Sequence, residues 1–208
     1  LDGIADPLQQ LRNGGLLILA LGQTVKRSIP NVAEVTIHRG RTATPNAVPD
    51  LLFEVPHGAT RAAHFDDLAA ELRGPFPDDL RSFFFVNTDV GAPEVADELA
   101  TRVVEEHPGR TVCVVRCLIP RTFIDCNRVI EPDAKPRASG VGEVTPGLAP
   151  YVEDPADQLL LLERYAAYRS LVTGAVDAVC GAGGAALMLH SYAPREVDVP
   201  VDDRIVDR

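Results

Sequence analysis

Lysine is almost missing from this chain. Of 208 residues only Lys26 and Lys135 are lysines, so nearly all positive charge is arginine. Acidic residues outnumber basic ones by 30 to 20, and the formal net charge is −10. A nucleic-acid backbone is held by clustered Lys and Arg, so this balance argues against a general nucleic-acid partner. It does not argue against a local pocket for a small anion, and arginine suits two-pronged recognition of a carboxylate. Long apolar runs are also missing. The longest candidate, "GGLLILALG" from Gly14, falls far short of the ~18 residues of a membrane helix. It lacks the basic start and small-residue cleavage site of a signal peptide, so no membrane partner is expected. The first residue is Leu1 rather than Met, which reads as the mark of a processed or trimmed product. Paired CxxC motifs are lacking too. Cys113, Cys117, Cys126 and Cys180 read as reduced, structural thiols, which favours a cytoplasmic setting.

What is present is enough apolar material, 46% of residues, for one sizeable core, so a single domain over 1–208 is expected. "LQQLRNGG" after Asp6-Pro7 reads as a short helix, and "LLILAL" as buried strand or helix. "VAEVTIHR" from Val32 alternates as a strand does. "DLLFEV" is the next strand, ending at Pro56, and "TRAAHFDDLAAEL" is a helix stopped by Gly74-Pro75. "DDLRSFFFVNTDVG" is an aromatic cluster followed by a polar turn. Pro93 suits the first turn of the helix "PEVADELATRVVEEH". "RTVCVVRCL" is continuously apolar, as in a strand covered on both faces. "RTFIDCNRVI" is partly extended. The Gly- and Pro-rich stretch Glu131 to Pro155 is too long for an ordinary connection and reads as a lid or binding loop. A long helix from Ala156 and a final strand ending at His190 close the pattern. The alternation predicts an α/β fold with a mainly parallel or mixed central sheet and helices on both faces.

In open α/β sheets, ligands bind beyond the carboxyl ends of the strands. Apolar runs end there in His57, in Asn127-Arg128 and in His190-Ser191, and Asp89 precedes a helix start. Two histidines and a carboxylate on one edge suit a zinc site with an open position. Each has a plainer reading. A histidine at a strand end is commonly just a polar terminus, Asp89 can be a turn or cap residue, and Asp125 and Arg128 can form a structural ion pair. His64, on a helix, reads as a surface or packing residue, and His38 and His107 carry no signal. The glycines at Gly140 to Gly142 and at Gly181 to Gly184 fit no phosphate-binding fingerprint.

Four stretches, "VPHGA" from Val55, "NTDVGAPEVADELA" from Asn87, "PRTFIDCNR" from Pro120 and "LMLHSYAPR" from Leu187, resemble the N-formylglutamate amidohydrolase family. The resemblance runs from Leu51 to Arg195 and leaves residues 1–50 unrecognised. It implies a hydrolase-like α/β fold related to the zinc carboxypeptidases and a zinc enzyme that removes the formyl group of an N-formyl amino acid. On the matching positions His57 and His190 would be zinc ligands. The carboxypeptidase-type pattern places a glutamate three residues after the first histidine, where this chain has Thr60. Asp89 is therefore taken as the third ligand, ahead of Glu54. Arg121 would face the developing oxyanion, Asn127 and Arg128 would grip the substrate carboxylate, and Asp125 would orient a neighbour. The general base of such enzymes is a late glutamate, and the only one after His190 is Glu196. Either Glu196 serves, or an earlier carboxylate does, or the chain is trimmed at its C-terminus or degenerate.

Overall fold

The computed structural model describes residues 24–130 and 147–192. Its elements in chain order are β1 (Thr24–Ile29), β2 (Ala33–Arg39), β3 (Leu51–Val55), α1 (Ala62–Ala69), α2 (Leu80–Val86), α3 (Ala92–Glu106), β4 (Thr111–Cys117), α4 (Pro155–Gly181) and β5 (Ala185–Met188). The strands form one mixed sheet in the order β1-β2-β4-β3-β5. β1 and β2 are an antiparallel hairpin, and β2 runs antiparallel to β4. β3 lies parallel to both β4 and β5. The α/β expectation holds at this level, with the parallel part confined to the three strands that carry the site.

Period-two alternation explains why β4 reads as one apolar run. Val112 and Val114 face a core with Phe53, Val55 and the α3 residues Ala92, Ala96 and Ala100. Cys113, Val115 and Cys117 face the opposite core, with Leu52, Phe65, Phe84 and the α4 residues Leu161, Tyr168 and Leu171. Both faces of the central strands are therefore covered, and side chains projecting toward solvent there are confined to strand ends.

The helix starts follow local chemistry. The Asp154 side chain accepts the Ala156 amide at 2.7 Å, and Pro155 occupies the first helical position of α4. Before α3, Gly91 adopts the left-handed φ of 81° that glycine tolerates without penalty. Two elements differ from the sequence reading. The aromatic stretch Leu80–Val86 is helix α2, because Leu80, Phe84 and Phe85 share one face against the core. Strand β1 was missed, since its residues are mostly exposed and show no apolar alternation. The expected helix at "LQQLRNGG", the "LLILAL" run and most of the long loop lie outside the described residues. No helix among the described residues is long and apolar enough to cross a membrane.

Candidate metal centre

β3 stops at Val55 because Pro56 has no N–H to extend the ladder. The chain then turns through His57 and Gly58. On the neighbouring strand the parallel register pairs Glu54 with Met188, and the Leu189 amide donates to the Glu54 carbonyl at 2.8 Å. His57 and His190 therefore emerge side by side, with ring centroids 5.1 Å apart. Asp89 reaches the same point from the turn between α2 and α3, where its amide approaches the His57 carbonyl at 3.4 Å.

The carboxylate of Asp89 stands between the two rings. Its Oδ2 accepts from His190 Nδ1 at 2.7 Å and lies 3.4 Å from His57 Nδ1. One ligand atom from each of His57, Asp89 and His190 falls within 4.8 Å of the others, and His57 and Asp89 are buried. The other nitrogen of His57, Nε2, donates to Asp125 Oδ1 at 2.9 Å. Nδ1 is left as a buried ring nitrogen without a hydrogen-bond partner. A bare nitrogen aimed at a carboxylate and a second imidazole fits a cation, and a carboxylate behind a ligating histidine fixes its tautomer. The cluster can hold a metal ion. Two imidazoles and one carboxylate are a donor set borderline cations accept, with room for a further ligand.

Asp125 is the organising group. Oδ1 accepts from His57 Nε2 and from the Asn127 amide at 2.9 Å. Oδ2 accepts from Arg121 Nε at 3.1 Å, with Arg128 Nε 3.6 Å away. Burial alone would raise this carboxyl's pKa, but His57, Arg121 and the Asn127 amide together hold it below the ordinary value. Burial likewise pushes Asp89 up, and the two histidines beside it win, leaving it ionised. For His57 burial lowers the pKa, while Asp125 and Asp89 outweigh it and raise the ring above its usual 6.5.

Arg121, Asn127 and Arg128, expected to contact the substrate, share one location. All line a cleft of about 290 Å³ together with His57, Asp89 and His190. Their loop is fixed by the Asp125 amide, which donates to the Gly147 carbonyl at 2.6 Å, and by the Tyr165 hydroxyl, which donates to the Arg128 carbonyl at 2.8 Å. Glu196 lies outside the described residues. Glu54 does not join the cluster. Its carboxyl accepts the Tyr168 hydroxyl at 2.9 Å, and burial pushes its pKa up despite that bond. Thr60, standing where a glutamate was sought, accepts from Arg116 Nη2 at 3.0 Å instead. A larger cavity, about 360 Å³, opens at the other end of the strands beside His38 and Arg39. Among the described residues it gathers no set of three metal-ligating side chains.

Sequence reasoning passed over Thr88 and Arg116, which hold the His57 turn. A signal existed for Arg116, the one charged residue in the apolar strand β4. Comparison with protein-family models, with curated proteins and with solved structures gives no match.

Proposed function

We propose that the protein is a zinc-dependent amidohydrolase that cleaves the N-acyl, formyl-type amide of a small amino-acid derivative bearing a carboxylate. The observation that carries this reading is His57, held by Asp125 at Nε2 and presenting a bare Nδ1 toward Asp89 and His190. The four motif stretches that resemble the N-formylglutamate amidohydrolase family, with its fold relation to the zinc carboxypeptidases, point to the same chemistry. His57, Asp89 and His190 would hold the ion. Zinc supplies Lewis acidity toward a carbonyl and lowers the pKa of a bound water toward ~7.

The chain's own residues do the rest. Asp125 keeps the proton of His57 on Nε2, so that Nδ1 stays free to ligate. Arg121 and Arg128 each turn Nε toward Asp125, and both residues line the cleft. Arg128 and Asn127 grip the substrate carboxylate, and Arg121 donates to the oxygen that gains charge in the transition state. Glu196, the only glutamate after His190, would act as the general base, taking a proton from the attacking water and returning it to the departing amine; an earlier carboxylate is the alternative.

A second reading is a catalytically degenerate domain that binds the same acidic ligand without turnover. It is favoured by one observation: Thr60 stands where the zinc carboxypeptidase pattern has a ligating glutamate, and its hydroxyl is taken by Arg116. The experiment is formate release from N-formyl amino acids by the zinc-supplemented protein, beside His190→Ala. Release well above that variant supports the enzyme; ligand binding with release equal to it supports the binding domain.

A further inference from the structure

The turn that carries His57 has an unusual support. Its three successive carbonyls, of His57, Gly58 and Ala59, are each taken by a side chain from a distant part of the chain. The Thr88 hydroxyl reaches the Ala59 carbonyl at 2.8 Å and the His57 carbonyl at 3.1 Å. Arg116 Nε donates to the Gly58 carbonyl at 2.7 Å, and its Nη2 donates to Thr60 Oγ1 at 3.0 Å. Gly58 makes this possible, since a Cβ there would lie 2.5 Å from Arg116 Cγ. Thr88 is buried and is the chain neighbour of Asp89.

We infer that Thr88 and Arg116 are positioning residues that set the separation of the His57 and Asp89 ligand atoms. This rests on the metal-site reading above. Thr88 ties the turn bearing one ligand to the residue next to the other, so its hydroxyl fixes their relative height above the sheet edge. Arg116, anchored in β4, fixes the same turn from below through two donors in one plane, a geometry lysine cannot reproduce. Neither residue belongs to the His57, Asp89 and His190 donor set. Both act on carbonyls of the turn, and Arg116 also on the Thr60 hydroxyl, which explains why the Pro-His-Gly-Ala-Thr stretch needs a small residue at Gly58 and a hydroxyl at Thr60.

The test measures zinc affinity by chelator competition in Thr88→Val, Thr88→Ser and Arg116→Lys, with the visible spectrum of each cobalt-loaded protein as a readout of ligand geometry. Supporting groups around metal ligands are worth about 10- to 100-fold in affinity. Thr88→Val and Arg116→Lys are expected to lose about that much and to shift the cobalt bands, while Thr88→Ser keeps both near the parent. Should Thr88→Val fail to fold, Arg116→Lys and the Thr88→Ser rescue decide. Parent-like affinity and spectrum in folded Thr88→Val or Arg116→Lys would overturn the inference. A folded parent that binds neither ion would overturn the metal-site reading and this inference with it, a result distinct from a parent that binds and variants that do not change.

Discussion

Asp125 Oδ1 lies 2.9 Å from Nε2 of His57, and both side chains are buried. One carboxylate thereby decides which nitrogen of the histidine carries a proton and which can face an ion. The same carboxylate holds Arg121, so His57 and Arg121 share a single anchor. Asp125→Asn keeps the shape but weakens both. Zinc affinity is expected to fall about 10- to 100-fold, read by calorimetric titration. Unchanged affinity would remove Asp125 from the account.

The pH dependence follows from His57. Its pKa stands above 6.5 in the metal-free protein because two carboxylates outweigh the effect of burial. A proton and zinc compete for the ring, so zinc affinity falls as pH drops through the raised value. The proton also stabilises the metal-free fold. That contribution is complete below the unfolded pKa of about 6.5 and is lost as pH rises through the folded pKa. The gain in melting temperature from saturating zinc therefore grows as pH rises from about 6.5 through the raised value. A gain that is flat or shrinks over that range contradicts the assignment.

Gly58→Ala tests the close approach at the turn. The added Cβ would lie 2.5 Å from Arg116 Cγ and 3.0 Å from the Cys117 carbonyl, and the latter is backbone that cannot swing away. Overpacking of this kind costs about 1–3 kcal/mol, so the urea midpoint drops. Parent-like stability would show that the turn has slack.

How much of this was legible in the sequence depends on the kind of signal. His57 and His190 were readable because polar residues at the ends of apolar strands break a pattern, and the parallel register then brings them together. Asp89 was readable only as a neighbour of a helix start. What places it at the histidines is the path of α2, a helix whose run of three phenylalanines carries no helical periodicity in the sequence. Thr88 was invisible, because its role is to hydrogen-bond carbonyls of a turn far away in the chain. β1 was missed because an exposed edge strand carries no apolar alternation, its stability coming from pairing with β2.

Arg121 and Arg128 make separable predictions if the proposed reaction is correct. Arg121→Ala should lower kcat about 10²- to 10³-fold, the range for removing one donor to a developing oxyanion. Arg128→Ala should act chiefly on KM, because a carboxylate grip serves ground and transition states alike. Steady-state kinetics on one N-formyl amino acid separates the two. Equal effects on both parameters in both variants would contradict these roles.

The most direct test of the central claim is the metal content of the purified protein by elemental analysis, beside His57→Ala and His190→Ala. The account predicts about one zinc per chain in the parent, as for a site with three protein ligands, and its loss in both variants. A parent without metal after zinc is supplied, or variants that retain it in full, would contradict a centre built on His57, Asp89 and His190.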